Sequence, residues 1–420
     1  MKALFSLAAK SAWNRRFVLA LTVLSIGLST FLLLGIERIR TEVRESFSQS
    51  VSGTDLIVGA RTSPIQLLLY SVFRIGEATN NLSWSSVQAI TGHPAVAWAV
   101  PISLGDSHRG FPVLGTTRDY FEHFRHGERQ ALRFQQGAPF AQLFEAVPGA
   151  EVAERLGYRV GDRITLSHGL SEVSLAEHAD KPFVVTGILA RTGTPVDRTV
   201  HVSLEAIEAI HLDWQGGAPI PGFTISPEQV RKFDLAPRAV TALLLGLKNR
   251  SSVFAVQRHV AQFKAEPLMG VLPGVALDQL WEVLGTGERA LFAISALVSA
   301  VSLAGLVAVV LAGLNERRRE LAILRALGAG PRHVLILLAL EGGLITLAGV
   351  VAGIVLLVAG MAGAGPIVQA RLGLDLAFSA PSPAQGVLLA GILGAGWLAS
   401  LIPAYRAYRL SLIDGLTPKV

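Results

Sequence analysis

Histidine is the residue type in this chain with the clearest capacity to bind a metal ion. Nine of the ten histidines lie between residues 37 and 289, and four of them fall within predicted strands and loops: His168, His178, His201 and His211. Imidazole binds zinc and copper well, but this spacing matches no established ligand pattern. Scattered surface histidines are the expected explanation, so we predict no metal site. If one exists, its candidate ligands are His168, His178 and His201.

The sequence contains no pattern that indicates a catalytic site. The chain has no cysteine, which excludes disulfides and thiolate nucleophiles. Serine, histidine and aspartate are present, but their positions do not indicate a nucleophile and its base. The phosphate-binding loop G-x-x-x-x-G-K-[ST] is also missing from the sequence. We therefore predict that the chain is not an enzyme and binds no cofactor itself.

The segment Asn315–Val334, NERRRELAILRALGAGPRHV, combines clustered charges with regularly spaced leucines. It predicts a short helix that ends at Gly328. Leu321, Leu324 and Leu327 form an apolar edge on that helix. Taken alone, a basic helix at a membrane interface explains these features.

Four apolar runs flank or follow this segment and predict membrane-spanning helices. A bilayer core is about 30 Å thick and needs about 20 apolar residues to cross it. The first run has no cleavage site after it and is predicted to be an uncleaved anchor. The runs are Phe17 to Ile36, Ala290 to Leu314, Val334 to Gly363 and Gly386 to Ala404.

Arginine positions predict the orientation of these spans. Five arginines lie between the second and third runs, whereas Arg371 stands alone between the third and fourth. The positive-inside rule then places the N-terminal segment 1–16, the coupling segment 315–333 and the tail 405–420 in the cytoplasm. Residues 37–289 and the short loop 364–385 lie outside, in the periplasm. The same rule explains the net charge of +6 better than nucleic-acid binding does.

The external segment 37–289 predicts a large mixed α/β domain inserted between the first and second spans, with stalk helices next to the membrane. Pro101 is expected to mark a turn. Residues Ile65–Phe73 are apolar but too short to span, and predict a short helix or sheet segment. Strands are predicted at Asp55–Ala60, Arg163–Ser167, Phe183–Leu189, Thr199–Ser203 and Val240–Leu247, and helices at Glu151–Leu156, Leu204–Ile210 and Ser251–Lys264.

The third span contains two features that need an explanation. Glu341 is its only charge, and an ionisable residue in a span usually faces protein or water. It marks a proton or ion pathway, or it pairs with Arg325 or Arg332. We prefer the pairing because Glu341 lies only about two turns inside the span. Gly349 and Gly353 permit close helix contact, within one chain or in a dimer.

The charged segment resembles the cytoplasmic coupling helix of FtsX-like and MacB-type ABC-transporter permeases. The family pattern is close to E-R-x-R-E-[IL]-[AG]-[IL]-[LR]-[RK]-A-[LI]-G-A. The end of the chain, Ile402 to Leu416, resembles the family ending I-P-A-x-R-A-x-R-x-x-P-x-x-x-L, with Leu412 in place of proline. Gly149 to Leu166 resembles a recurring segment of the family's outer domain. The pattern is filled by Glu316, Arg317, Arg319, Glu320, Leu321, Ala322, Ile323, Leu324, Arg325, Ala326, Leu327, Gly328 and Ala329.

The resemblance implies a multi-pass protein of the bacterial inner membrane that acts as a permease subunit. It implies a separate ABC ATPase carrying ATP and magnesium, because only about sixteen residues precede the first span and MacB itself has a fused ATPase there. It further implies a second permease copy, identical or different, and a periplasmic binding or adaptor protein. In such transporters ATP hydrolysis moves the periplasmic domain, a process called mechanotransmission.

Export, extraction and translocation of an unidentified substrate are all compatible with this resemblance. An alternative function keeps the fold without transport: a transmembrane signal transducer of the division type that controls a periplasmic partner. A third is a membrane receptor without an ATPase, which the coupling pattern disfavours.

Overall fold

In the computed structural model the chain is described at residues 16–50, 52–169, 178–215, 218–220, 223–316, 326, 328–372 and 382–413. These residues divide into two compact units. The first contains residues up to Glu42 and from Gly285 onward, and the second runs from Val43 to Leu284.

The described residues form eleven α-helices, four of which are long and apolar enough to cross a membrane. These four are α1, α9, α10 and α11. The helices are α1 Arg16–Ser50, α2 Pro64–Ser71, α3 Trp84–Thr91, α4 Asp119–His123, α5 Ala150–Leu156, α6 Leu204–His211, α7 Pro227–Val230, α8 Val253–Ala261, α9 Pro273–Glu316, α10 Pro331–Leu372 and α11 Pro383–Ile413.

The long helices extend beyond the apolar runs. Helix α1 continues past Ile36 to Ser50, and α9 begins at Pro273, well before Ala290. Helix α10 continues to Leu372, so residues 364–372 are helical where the sequence predicts a loop. Apolar composition marks the part of a helix that lipid covers, and a helix does not have to end where that part ends.

The surfaces of the spans are apolar, as a bilayer requires. In α9, Leu291, Leu297 and Val301 are more than half exposed, whereas Ser295 and Leu306 are fully buried. A water-soluble protein would face the leucines inward. Lipid is the solvent that covers such a surface without cost.

Nineteen strands are described, eleven of which form one sheet. They are β1 Leu56–Ala60, β2 Leu82–Ser83, β3 Val96–Ser103, β4 Asp106–His108, β5 Phe111–Thr116, β6 Arg125–His126, β7 Gln130–Ala131, β8 Phe134–Gly137, β9 Glu145–Pro148, β10 Arg163–Ile164, β11 Ser167–His168, β12 Phe183–Val185, β13 Gly187–Leu189, β14 Val200–Ser203, β15 Trp214–Gln215, β16 Ala218–Pro219, β17 Ala239–Val240, β18 Ala242–Leu247 and β19 Leu268–Val271.

The large sheet is mixed and runs in the order β10-β12-β9-β14-β5-β3-β18-β1-β19, with β4 pairing β5 and β11 pairing β4. The pairs β12–β9 and β14–β5 are parallel, and the other pairs of this sheet are antiparallel. Strands β1 and β18 are buried along their whole lengths, because both faces of the sheet are covered. This confirms the predicted fold class: four spanning helices with a large α/β domain between the first and second.

Pro101 does not mark a turn as the sequence suggested, because it lies inside β3. Its partner in β18 is Leu243. The β5 ladder pairs only Ile102 and Ser103 of this strand. The backbone hydrogen bonds between β3 and β5 begin only after Pro101. The N–H that proline lacks is therefore not needed for this pairing.

Candidate functional site

The coupling segment is described only at its two ends. Most of its predicted contact residues lie outside the described part of the chain: Arg317, Arg319, Glu320, Leu321, Leu324, Arg325 and Leu327. Glu316 is the last residue of α9. Gly328 has a φ of 92°, a left-handed conformation that glycine adopts without strain and that commonly follows a helix.

An apolar cluster joins the helices on both sides of this segment. Leu314, near the end of α9, and Val334 and Leu338, near the start of α10, are buried against Ala404 and Ala407 of α11. Packing of this kind resists separation of the helices. The two ends of the coupling segment are therefore attached to one packed group.

Gly349 and Gly353 lie against α1 of the same chain. A Cβ atom at Gly349 would lie 2.6 Å from the Ile26 Cβ, and one at Gly353 would lie 2.7 Å from the Gly27 carbonyl oxygen. Both distances are too short for carbon atoms, so only glycine permits this approach. The pair thus serves packing within the chain.

Glu341 is partly buried and has an interaction with its surroundings. Next to it, Gly342 approaches Ser400 of α11 so closely that an added Cβ would lie 2.3 Å from the Ser400 Cβ. The Ser400 hydroxyl donates to the Ala339 carbonyl at 3.2 Å. Glu341 thus belongs to a tightly packed region of α10, and its predicted pairing with Arg325 or Arg332 stays a prediction.

The α/β domain brings three of its histidines together with Asp106. Strands β4 and β11 pair so that Asp106 and His168 are direct cross-strand partners. His211 ends α6, a helix that begins where the Ser203 hydroxyl accepts a hydrogen bond from the Ala206 amide. His178 precedes β12, and all four residues offer ligand atoms within 4.8 Å of one another. We name them the Asp106 cluster.

Three atoms of this cluster form a nearly equilateral triangle. His168 Nδ1 lies 3.2 Å from Asp106 Oδ1 and 3.2 Å from His211 Nε2, and His211 Nε2 lies 3.3 Å from Asp106 Oδ1. Burial raises the pKa of the Asp106 carboxyl, but hydrogen bonds from His168 and His211 outweigh it and lower the pKa to about 2. Asp106 is therefore a carboxylate at neutral pH.

The backbone fixes the tautomer of His211. Its Nδ1 lies 2.8 Å from the Ile207 carbonyl oxygen, which only accepts, so Nδ1 carries the proton. Nε2 can then donate to Asp106 only while the ring is protonated. Burial lowers the pKa of His211, but interactions led by the hydrogen bond to Asp106 together outweigh it and the pKa is raised. In the neutral ring the lone pair of Nε2 points at Asp106 and His168 instead. This arrangement of a ring nitrogen held by a backbone carbonyl is typical of metal-binding histidines.

His178 is the most enclosed member of the cluster. Its side chain is fully buried, and neither ring nitrogen has a hydrogen-bond partner among the described residues. Burial, and after it the neighbouring His211, lower its pKa to about 4. The Trp214 ring packs against it with centroids 4.1 Å apart and also contacts His168 and His211.

His201 is separate from the cluster. It lies on β14, where Val200 and Val202 face one core and His201 faces the other, as strand alternation requires. Its Nδ1 lies 3.0 Å from the Val147 carbonyl oxygen. Of the three candidate ligands named from the sequence, His168 and His178 meet, and His201 does not join them.

Sequence reasoning missed Asp106 entirely. It lies 62 residues from His168, and only the β4–β11 pairing brings them together. The buried pair Lys181 and Asp213, 2.7 Å apart, was also missed. This pair ties the segment after His178 to the residue before Trp214. No local signal distinguishes these residues from other charged residues near turns.

Comparison with known proteins identifies both units. Residues 292–412 match the FtsX-like permease C-terminal family, and residues 19–262 match the MacB-like periplasmic core domain. The second match spans more than half of the 420 residues. No curated protein matches the chain by sequence.

Two solved structures have similar regions. The periplasmic region of MacB from Actinobacillus actinomycetemcomitans is 8% identical, with a TM-score of 0.35, covering 56% of this chain and 96% of its own. The extracellular domain of the noncanonic ABC-type transporter YknZ from Gram-positive bacteria is 9% identical, with a TM-score of 0.31, covering 52% and 98%. From the family matches and the four apolar helices, this chain is a multi-pass membrane protein that belongs to the FtsX/MacB class of ABC-transporter permeases, a class of non-catalytic membrane subunits.

Proposed function

We propose that this chain couples ATP hydrolysis by a separate ATPase subunit to movement of its α/β domain. The observation that carries the proposal is the segment Asn315–Val334, which connects α9 to α10 and fills the family's coupling pattern almost without departure. The sequence has no phosphate-binding loop of its own. ATP and Mg²⁺ are therefore assigned to the partner.

The apolar edge of the segment is the proposed contact. Leu321, Leu324 and Leu327 enter a groove on the ATPase, as an amphipathic helix enters a hydrophobic groove. The neighbouring arginines set the orientation by charge, which affects specificity and association rate more than affinity. Burial of a leucine side chain contributes about 1.5–3 kcal/mol, so loss of one leucine should weaken the contact measurably.

The helices supply the path for movement. Helix α9 begins at Pro273 in the second unit and ends at Glu316, immediately before the coupling segment. The cluster around Leu314, Val334 and Leu338 holds both ends of that segment in one packed group. This supports transmission of a displacement along α9 rather than its loss in a flexible linker.

The proposal includes an orientation and an assembly. The termini and the coupling segment face the cytoplasm, and residues 37–289 lie in the periplasm, as the arginines of the coupling segment favour. Two permease copies, identical or different, assemble with the ATPases. Movement of the periplasmic domain drives export, extraction or translocation of a substrate, together with a periplasmic binding or adaptor protein.

Association with the ATPase tests the proposal. The full chain is purified in mild detergent as wild type, as Leu324→Asp and as Ala326→Asp, and the co-purified proteins are identified. An uncompensated charge in an apolar contact disrupts association, so Leu324→Asp should lose the ATPase. Ala326→Asp places the same charge on the opposite side of the predicted helix and should retain it.

Two outcomes contradict the proposal. If no ATPase accompanies the wild type, the receptor interpretation replaces it. If both variants lose the ATPase equally, the contact is not made by the leucine edge.

A further inference from the structure

Three of the four ligand atoms in the Asp106 cluster are spaced like one face of a tetrahedral metal site, and the fourth, from His178, lies within 4.8 Å of them. Metal–nitrogen and metal–oxygen bonds of about 2.0–2.1 Å place neighbouring ligands of a regular tetrahedron about 3.3 Å apart. The edges of the triangle formed by Asp106 Oδ1, His168 Nδ1 and His211 Nε2 are 3.2, 3.2 and 3.3 Å. The three atoms therefore already occupy one face of such a tetrahedron.

Hydrogen bonding within the protein leaves part of the cluster unsatisfied. His178 buries two ring nitrogens without a partner among the described residues, and a buried polar group without a hydrogen bond destabilises the fold. A neutral imidazole carries one proton and one lone pair. A cation at the centre of the cluster would accept the lone pair of His178 together with those of His168 and His211.

We propose that Asp106, His168, His178 and His211 bind one Zn²⁺ ion in the α/β domain. Three imidazoles and one carboxylate suit zinc, which prefers nitrogen and oxygen ligands in tetrahedral geometry when thiolates are absent. Four protein ligands complete the coordination shell, so the site is structural or regulatory and leaves no open position for a water nucleophile.

The surroundings provide what a metal site needs beyond its ligands. The Ile207 carbonyl holds the ring of His211, an outer contact that orients metal ligands. Trp214 covers the imidazoles. The His168 side chain is 38% exposed and that of Asp106 4%, so the ion enters from solvent past His168.

Zinc binding would link parts of the domain that are far apart in the sequence. The ligands come from β4, from β11, from the residue that leads toward β12 and from the end of α6. Metal binding of this kind adds its free energy to the stability of the domain.

The experiment measures zinc in the full chain purified in detergent. The protein is stripped with a chelator, reconstituted with Zn²⁺ alone, freed of excess metal and analysed for zinc per chain. The variants are His168→Ala, His178→Ala and the control His259→Ala, which removes an exposed histidine of α8. His168→Ala is the decisive variant because the side chain of His168 is partly exposed, and the variant should therefore still fold.

We expect one zinc per chain in wild type and in His259→Ala, and a higher midpoint of thermal unfolding with zinc than without. Loss of an outer contact lowers metal affinity roughly 10–100-fold. His168→Ala and His178→Ala remove a ligand itself, so each should lower the affinity for zinc by more than that. Cobalt in place of zinc should give the absorption spectrum of a tetrahedral site in wild type and in His259→Ala, but not in His168→Ala or His178→Ala.

Two results would overturn the proposal. The first is wild-type protein that retains no zinc above the level of buffer. The second is His168→Ala and His178→Ala proteins that bind zinc as tightly as wild type. Neither readout depends on the ATPase, so failure here leaves the proposed coupling function untouched.

Discussion

The spanning helices and the α/β domain differ in the kind of polar side chain that they bury. In the apolar stretches of the described spans, the buried polar side chains are hydroxyls: Thr22, Ser29, Thr30, Ser295, Ser302, Thr346 and Ser400. In the α/β domain the buried polar side chains include full charges, among them Asp106, Glu151, Lys181, Asp197 and Asp213.

The hydroxyls of the spans bond mainly to their own helix. Thr22 donates to the Val18 carbonyl at 2.9 Å, and Thr346 donates to the Gly342 carbonyl at 2.8 Å. This satisfies the hydroxyl without a partner helix. Adhesion between the spans then depends on close contact at small residues.

The α/β domain instead satisfies its buried charges with backbone amides and with opposite charges. Asp197 accepts hydrogen bonds from the Thr192 and Gly193 amides at 2.8 Å, and Lys181 lies 2.7 Å from Asp213. This difference indicates that a site built from charged side chains is expected in the α/β domain rather than in the spans. A domain that folds in water can enclose charges once they are paired, whereas a charge inside a span is expensive, and Glu341 is the only one in the four apolar runs.

The largest expected effect comes from breaking a buried charge pair. Asp213→Ala leaves the fully buried Lys181 with Asp180 alone and removes the acceptor of the Ile225 amide. Loss of one partner of a buried pair costs about 3–5 kcal/mol. Denaturation of the full chain in detergent with a chelator present should show this loss.

Matched variants sharpen that result. Asp180→Ala removes the partly exposed partner of the same lysine and should cost at most about 1 kcal/mol. The double variant Lys181→Met with Asp213→Leu replaces the pair by apolar side chains and should recover most of the loss. Equal losses in Asp213→Ala and Asp180→Ala would show that burial of this pair does not matter.

The next effect tests packing at small residues in the spans. Gly353→Leu forces a side chain into Thr30, whose Cβ lies 2.6 Å from the position of an added Cβ. Overpacking of this kind costs typically about 1–3 kcal/mol. Gly363→Leu lies on the same helix with nothing within 4 Å and serves as the control. A thermal-shift measurement in detergent should show a lower midpoint for the first variant alone.

The spans and the α/β domain also differ in how well the sequence predicts their structure. Four spans are visible because lipid imposes composition over about 20 residues at a time. Strands such as β1, β14 and β18 are visible because they are short aliphatic or β-branched runs. Strand β3 is missed because Pro101 imitates a turn, and only its position relative to β5 shows why proline is accepted.

The Asp106 cluster is the clearest example of a feature that the sequence does not predict. Histidine content pointed to the domain, and His168 and His178 are among the candidates named from it. Asp106 comes from another hairpin, and His201 is excluded because a strand alternates its faces. Contacts made by sheet pairing between distant segments leave no local signature, so the sequence alone predicts scattered histidines.

The last effect depends on pH and concerns His201, which departs from the rule that the α/β domain pairs its buried polar groups. Burial lowers its pKa, the hydrogen bond to Val147 opposes this, and the charge of Arg74 adds to the lowering, so that the pKa is about 3. The unfolded chain titrates near pH 6.5, so between about pH 6.5 and pH 3 the unfolded state binds the extra proton. Stability should therefore fall as the pH is lowered through this range, by up to about 1.4 kcal/mol per pH unit from this one group.

His201→Gln removes that proton and should flatten the pH dependence by this amount, while exposed His259→Gln leaves it as in wild type. Hydrogen exchange of the β14 amides in the full chain at pH 7, 6 and 5, with a chelator present, measures the difference. An unchanged slope in His201→Gln would mean that the Tyr120 and Phe121 rings around His201 open enough to admit water. The buried histidine would then follow the same rule as the charged pairs, with water as its partner.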